Sequence, residues 1–409
     1  MRSAWLITAT AMLAGAAHAA PMTYDAALRL ADQSAPSLQA KMADVEAARS
    51  SATAAGRLPD PKLRVGLDNF PVSGPPAWRF GPESMTMATV GLMQEVPNGA
   101  KRRAARERAA ADIGAANAGR DVEARAVRLS TALAWIDLYY AERRLAALDQ
   151  IDRAIAPLRE TAPSQLASGA ARPAQTVEAD QLTAALGDRR ADLVAAVGRA
   201  RAELVRWTGD PQGDVSGDPP APIVDPVALR AGLDGVPVLT AYDAVERQAD
   251  ADLAAAKAEK RPDWSWELAY EHRAPMWGDL VSVGATVSLP LFGSTRQDPV
   301  IAARALGASR VRIEREAAHR GLAAQLDADL ADHVMHHDRL MRARTTLIPL
   351  AQRKADLETA SYAAGTASLS DALGALLGLA EARIDALERE AVVARDAVRI
   401  AVTYGSDTQ

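Results

Sequence analysis

The sequence predicts a mainly α-helical fold carrying a small β portion whose strands have one apolar and one polar face. Three observations lead there. Alanine dominates a chain of 409 residues in which aromatic residues make up 4%, a composition of long helices packed side by side rather than of a globular core. Two stretches of more than sixty residues keep helical spacing with few breakers. A single order of elements, helix, strand, strand, long helix, occurs twice.

At the N-terminus Arg2, the apolar run Ala4 to Ala14 and the small-residue site Ala17-His18-Ala19 read as a cleavable secretory signal over 1–19. The apolar run is too short to span a bilayer as a helix, and nothing downstream reaches the required length. A membrane location therefore has to rest on strands. There are no cysteines, which excludes disulfides, a thiol nucleophile, thiolate metal ligation and a lipid anchor on cysteine. A formal net charge of -5 with 24% charged residues offers no basic stripe for nucleic acid, so nucleic acid is not an expected partner.

The repeat sits at a constant offset at first. Ala27-Leu28-Arg29 matches Ala228-Leu229-Arg230, Pro36 matches Pro237, and Pro61 matches Pro262. Later the offset shrinks, with Val96-Pro97 against Leu289-Pro290 and Gly169 against Gly365. The expected organisation is a first repeat over 20–209, a connector over 210–225, a second repeat over 226–404 and a tail over 405–409. The connector, Gly209-Asp210-Pro211 through Pro226, is too rich in Pro, Gly and Asp for helix or ladder, and composition alone serves a disordered linker as well as an ordered strap.

Each repeat opens on an alanine-rich helix, 23–57 and 225–260, that ends before a proline. Strands are expected over 61–70, 85–96, 263–272 and 280–290. Trp264, Trp266, Leu268 and Tyr270 alternate with Ser265, Glu267 and Ala269, and Val281, Val283, Ala285 and Val287 alternate with Ser282, Gly284 and Thr286. In 85–96 the methionines and glycine blur the faces, and Met85, Met87 and Met93 are read as lipid-facing or packing residues. Strands of about 9–11 residues with this alternation are the signature of membrane barrels, although soluble antiparallel sheets alternate in the same way. Four strands cannot close a barrel, since closure starts at about eight, so a membrane reading demands several copies of the chain.

Sharp turns at Pro97-Asn98-Gly99 and Pro290-Leu291-Phe292-Gly293 lead into long helical stretches, roughly 101–166 and 296–362, each on the order of 90–100 Å long. Leu145, Leu148, Ile151, Ile155 and Leu158, and Leu322, Leu326, Leu330 and Val334, recur every three or four residues as packed seams. Pro157 and Pro349 should kink or break them. Glycine turns near 168–171 and 364–368 send the chain back as second helices, which makes two antiparallel helical hairpins.

No G-x-S-x-G, H-E-x-x-H or phosphate-cradling loop is present, so no enzyme is expected and no cofactor is called for. His333, His336 and His337 stand at i, i+3 and i+4 and could share a helical face as weak metal-ligand candidates. The ordinary reading of such a set is a polar exposed face. Trp264, Trp266, Tyr270 and Trp277 suit a membrane-interface belt, which argues against a soluble periplasmic coiled-coil adaptor.

The signal sequence, the duplicated plan and the paired glycine turns, above all Tyr362-Ala363-Ala364-Gly365-Thr366 followed by Leu369-Ser370-Asp371-Ala372-Leu373, resemble the TolC-like outer membrane efflux family over nearly the whole chain. The resemblance implies a homotrimer whose protomers share a 12-stranded barrel in outer membrane lipid of a Gram-negative bacterium, with an α-helical tunnel in the periplasm. The first helices of each repeat would then stack end to end on the returning ones. It further implies a periplasmic adaptor docked at the tips, at Gly169, Gly365 and Thr366, an inner membrane pump of the resistance-nodulation-division type, and a periplasmic gate at Asp371. Gly374 stands where a second acidic residue is expected, which weakens that gate. Asp60-Pro61-Lys62-Leu63, Asp68-Asn69-Phe70-Pro71 and Gln94-Glu95-Val96-Pro97 look like the branch that accompanies heavy-metal pumps, copper or silver first and cobalt, zinc or cadmium next. A multidrug duct is the alternative.

Overall fold

The computed structural model describes residues 21–167, 173–211 and 213–405. The elements run α1 (Tyr24–Ser34), α2 (Pro36–Ala52), β1 (Lys62–Asp68), β2 (Met87–Val96), α3 (Gly99–Ala167), α4 (Pro173–Thr208), α5 (Pro226–Gly232), a 3-10 turn (Leu233–Gly235), α6 (Pro237–Ala258), β3 (Trp264–His272), β4 (Leu280–Val287), α7 (Gly293–Arg342), a π-helical turn (Ala343–Leu347), α8 (Ile348–Ala363) and α9 (Leu369–Tyr404). Two compact units result. One takes the chain up to Ala35 with Val127–Ile223 and Ala331–Ala401; the other takes Pro36–Ala126, Val224–Leu330 and the chain from Val402 on.

The first unit is helical. Leu148, Ile151 and Ile155 of α3 pack with Leu186 and Leu193 of α4 and with Leu369, Leu373, Ala380 and Ile384 of α9, so the seam expected on α3 is a three-helix core. Small side chains bring the backbones close, and ion pairs tie their rims: Arg144 meets Glu388, and Arg395 reaches Asp137 at 2.9 Å and Glu388 at 3.2 Å. Burial raises the Asp137 carboxyl above its ordinary range although Arg395 and Arg144 oppose the shift. At the other end Trp135 is fully buried; its Nε1 donates to the Met22 carbonyl at 3.0 Å, with Tyr24 edge-on and Tyr139 stacked on its ring. Burial pushes the Tyr24 hydroxyl up to about 12.

The connector is an ordered strap on this unit, at least over its first part. Met22 N donates to Asp214 O at 2.7 Å, Ser216 N to Met22 O at 3.1 Å, and Ser216 Oγ to Pro21 O at 3.1 Å. Arg201 bridges Glu142 and Asp214, both at 2.9 Å. The end of α1 meets the end of α4 through Ser34 Oγ, which donates to Thr208 O at 3.0 Å.

The second unit holds one antiparallel sheet of order β1-β2-β3-β4, with β1 and β4 as unpaired edges. Val65 stands opposite Val90, which stands opposite Tyr270, which stands opposite Val281; one row over, Leu63, Leu92, Leu268 and Val283 align in the same way. Helical packing beneath uses α6 and α7, where Leu239, Ala244, Val311 and Leu326 are buried.

Prolines account for the departures from the expected helices. The helix expected over 23–57 breaks at Ala35, whose ψ of 118° is extended, because the ring of Pro36 disfavours the α region for the residue before it. The second, expected over 225–260, breaks at the matching Pro237, preceded by Val236 at ψ 142°. In both cases the proline then starts the next helix, where its missing N–H costs nothing. At Pro349 no break occurs: the π-helical turn Ala343–Leu347 widens the helix ahead of it and makes room where the ring would strike the carbonyl one turn back. At Pro157 α3 continues without interruption.

Replacing Trp135 with Ala should lower the stability of the helical unit by roughly 3–5 kcal/mol, read as a shifted denaturant midpoint by circular dichroism. Trp135→Phe, which keeps the ring stack and loses the bond to Met22, should cost about 1 kcal/mol.

Candidate functional site: a two-faced sheet and a helix tip

Alternation and register together give the sheet two chemistries. Leu63, Val65 and Leu67 of β1, Val90 and Leu92 of β2, Trp266, Leu268 and Tyr270 of β3, and Val281 and Val283 of β4 all fall on one face. All are exposed, among them Val65 at 71%, Leu268 at 55% and Val283 at 74%. A contiguous apolar face of this kind marks a surface that meets another protein or a membrane. The opposite face carries Arg64, Asp68, Thr89, Glu267, Glu271 and Ser282, cross-linked by Arg64–Asp68 at 3.1 Å, Thr89–Asp68 at 2.6 Å and Ser282–Glu271 at 2.8 Å.

The register resolves β2, whose faces the sequence left blurred. Met87 pairs with Asp68 and Met93 with Lys62, so both methionines fall on the polar side with Thr89, Gly91 and Glu95. Of the two expected duties, lipid-facing or packing, the register leaves packing for Met87 and Met93; the apolar side of β2 is Val90 and Leu92. Gly91 lies where a Cβ would come within 3.2 Å of Ala269, so small residues let the strands close on this face.

The four candidate belt aromatics separate by position. Trp264 and Trp266 stack at 6.3 Å on the helix-proximal end of β3. Tyr270 stands near the far end, where its hydroxyl bonds Asp279. Trp277 is not in a strand: it sits in the β3–β4 loop and donates from Nε1 to Gly81 O of the β1–β2 loop at 3.3 Å. Arg273 fastens the same loop, donating to Trp277 O at 2.5 Å and Gly278 O at 2.6 Å. Aromatic groups thus bracket the apolar face at both ends, the distribution found at membrane interfaces.

Where strands meet helices, one residue that the sequence reading passed over holds the junction. Asn98, between β2 and α3, donates from its backbone N and from Nδ2 to Asp263 Oδ1 at 2.8 and 2.9 Å. Its Oδ1 accepts from Ala100 N and Lys101 N, both at 3.0 Å, which caps α3. Lys101 Nζ adds bonds to Asp263 at 2.6 Å and Glu259 at 2.7 Å, and Asp263 N donates to Ser288 Oγ at 2.8 Å. The available signal was an Asn in N-cap position before a long helix.

At the second hairpin tip Gly365 has φ 75°, the left-handed region that glycine adopts without steric cost. Thr366 N donates to Ser361 O at 2.9 Å and Gly365 N to Tyr362 O at 2.9 Å, the paired bonds that close a helix on a left-handed residue. Thr366 Oγ1 also donates to Ser361 O at 3.0 Å. Gly169 lies outside the described residues.

Asp371 occupies the third position of α9 in a reciprocal cap: Ser368 N and Oγ donate to Asp371 Oδ2 at 3.1 and 2.6 Å, and Asp371 N donates to Ser368 Oγ at 3.1 Å. The bonds from Ser368 hold the carboxyl below its ordinary range. Asp371 is exposed, with its charge fixed at the start of the helix.

The three histidines do not share an exposed polar face. Val334 between them is exposed, while the packed seam passes from Leu326 and Leu330 through His333 and His336 to Leu340. His336 Nδ1 lies 2.6 Å from Oδ2 of Asp396, which is 6% exposed and also accepts from Arg399 at 2.9 Å. His337 is exposed. No three His, Asp or Glu side chains gather in metal-binding geometry among the described residues. No helix among them is long and apolar enough to cross a membrane.

No family model matches the chain, and no curated protein matches it in sequence. Solved structures do. The outer-membrane channel OprN aligns with a TM-score of 0.77 at 18% identity, covering 94% of this chain and 90% of that one. CusC, whose structures are described in terms of folding and transmembrane channel formation, aligns at 0.76 and 13% identity over 94% and 92%. The Campylobacter jejuni outer membrane channel CmeC aligns at 0.76 and 12% over 94% and 87%. The fold is therefore that of the TolC-like outer membrane channels, and a sheet of four strands is consistent with three copies sharing one barrel.

Burial lowers the pKa of His333, outweighing the attraction of Asp396, and nearby His337 and His336 act in the same direction as burial. The unfolded chain therefore binds the proton more tightly, so the stabilising effect of neutral His333 is complete above the unfolded value near 6.5 and declines as pH falls below it. His333→Gln should flatten the loss of thermal stability between about pH 7.5 and pH 5, the range in which an ordinary histidine titrates, measured by melting in buffers of matched ionic strength.

Proposed function

We propose that the chain is one protomer of a homotrimeric exit duct in the outer membrane of a Gram-negative bacterium, a passive conduit of a tripartite efflux system rather than an enzyme. The observation that carries this reading is the exposed apolar face continuous over four strands, on a sheet with two unpaired edges. In water such a sheet would aggregate through both its face and its edges. In a membrane the face meets lipid, and β4 of one copy pairs with β1 of the next until twelve strands close. The polar face with Arg64, Asp68 and Glu267 then lines the water-filled lumen.

The remaining roles follow from this assembly. At the hairpin tips, Gly169, Gly365 and Thr366 are the proposed docking points of a periplasmic adaptor, which joins the duct to an inner membrane pump of the resistance-nodulation-division type. Three copies of Asp371 about the three-fold axis form a ring of fixed negative charge at the periplasmic entrance, attractive to cations and self-repelling. The signal over 1–19 directs export. For cargo we propose heavy-metal cations, copper or silver first, on the strength of the segments around Asp60, Asp68 and Gln94. Selectivity then lies in the pump, since His333 lies on the packed seam and His336 is engaged with Asp396 at 2.6 Å.

Two measurements test this. Leu268→Arg on the apolar face should cost about 2–4 kcal/mol of insertion free energy if that residue sits near the bilayer midplane and abolish the detergent-stable trimer, whereas Ser265→Arg on the opposite face should leave the trimer intact; a monomer of unchanged solubility without detergent would overturn the membrane assignment. Deleting the gene should sensitise the host to copper or silver across graded concentrations. Sensitivity restricted to dyes and detergents would keep the duct and replace the cargo.

A further inference from the structure

Just below the sheet, in the same unit, three arginines gather without an acid. The turn after α2 ends at Gly56, which has φ 67° and leaves no room for a side chain: a Cβ there would come within 2.4 Å of Arg102 O and 2.9 Å of Arg106 Nη1. Arg102 Nε donates to Gly56 O at 3.0 Å, the Arg106 side chain packs over the glycine, and Arg57, the next residue, is exposed. Several other bases at this level are neutralised, although Arg103, Arg261 and Arg296 carry no ion pair among the described residues. Lys101 pairs with Glu259 and Asp263, Arg108 with Asp112 and Asp252, and Lys260 with Asp298. Among the described residues Arg57, Arg102 and Arg106 form no ion pair with any carboxylate, although Asp60 and Glu107 lie close in sequence.

Like charges drawn together and left uncompensated imply an anion from outside the chain. Their depth says which anion. β2 ends at Val96 and α3 starts at Gly99, so Arg102 lies about 5 Å along the helix from its start, and the Arg106 guanidinium reaches back from about one turn further to the same Gly56 that Arg102 touches. A headgroup layer extends about 5–7 Å beyond the hydrocarbon on each side. Trp264 and Trp266 mark the same end of the apolar face. A guanidinium group offers planar, paired donors suited to phosphate oxygens.

We propose that Arg57, Arg102 and Arg106 form a binding site for the phosphodiester of an anionic phospholipid in the inner leaflet of the outer membrane. The proposal rests on the membrane reading above. Bound there, the lipid would neutralise the cluster and fix the height at which strands give way to helices.

The test uses the purified full-length protein reconstituted in phosphatidylcholine, with brominated phosphatidylglycerol or brominated phosphatidylcholine as quencher of tryptophan fluorescence. Brominated phosphatidylglycerol should quench at roughly fivefold or more lower mole fraction at low salt, with the preference shrinking as salt screens it. R57Q/R102Q/R106Q should bring the two lipids to parity, and R57K/R102K/R106K, which keeps the charge, should retain most of the preference. If the triple glutamine variant does not fold, R57Q alone should lower the ratio. Equal quenching of the unmodified protein by both lipids overturns the site while leaving the membrane reading standing; no quenching by either overturns the membrane reading itself. Relief of the preference by inorganic phosphate at matched ionic strength would mark a free-anion site and overturn the lipid assignment.

Discussion

The knot between Asn98 and Asp263 is the interaction on which the strand-bearing unit depends. A chain that passes from helix to strand and back must satisfy the free amides at each helix start and the loose ends of the ladder at once. Here one side-chain amide and one carboxylate do both. Asn98 caps α3 while its own donors reach across to Asp263 at the head of β3, and Asp263 in turn anchors to Ser288 beyond β4. Lys101 offsets the carboxylate's charge. The two repeats thereby meet at one point, and the four strands leave it in a fixed order.

From that anchoring the two-faced sheet follows. Register sets which side chains share a face, and a slip of one residue would turn every apolar side chain toward the polar side. The register found aligns Val65, Val90, Tyr270 and Val281 in one row and Leu63, Leu92, Leu268 and Val283 in another. Neither face nor edges can be satisfied within one chain. In the proposed assembly lipid would cover the face, further copies would pair the edges, and the lumen would take Arg64, Asp68 and Glu267. The helical unit answers a different constraint, since alanine-rich helices gain little from each contact and depend on many close ones, with a few ion pairs such as Arg395–Asp137 fixing their rotation.

Much of this was legible in residue order. Alternation at period two is visible in β3 and β4 because each position there is either plainly apolar or plainly polar. It fails in β2, where Met87 and Met93 are apolar residues on the polar side and only pairing with β1 assigns them. Helix extent was legible from composition, but the breaks at Pro36 and Pro237 and the passage at Pro349 differ in outcome for the same residue type. The first two take up positions at a helix start, whereas the third is absorbed by an extra residue in the preceding turn, a choice made by surrounding packing. The histidines show the same limit. Spacing places His333, His336 and His337 on one helical side, but which side is inward depends on where the seam drifts after Leu330, and Asp396 sixty residues away supplies the partner. In residue order Asn98 reads only as part of a turn, and its cross-link cannot be seen there, because Asp263 is 165 residues distant.

Asp371 joins a local role to a proposed global one. Its reciprocal cap with Ser368 favours the ionised carboxylate, and the bonds from Ser368 hold the carboxyl below the ordinary aspartate range. A ring of three such carboxylates about a narrow axis would oppose one another's ionisation. In such a ring capping would work against that repulsion, since each helix start favours its own carboxylate, and part of the mutual repulsion would act on the position of the tips. An entrance built in this way would favour a wider separation of its three charged tips, and would need other contacts, such as those proposed for an adaptor at the Gly365 and Thr366 turn, to set how far apart they stand.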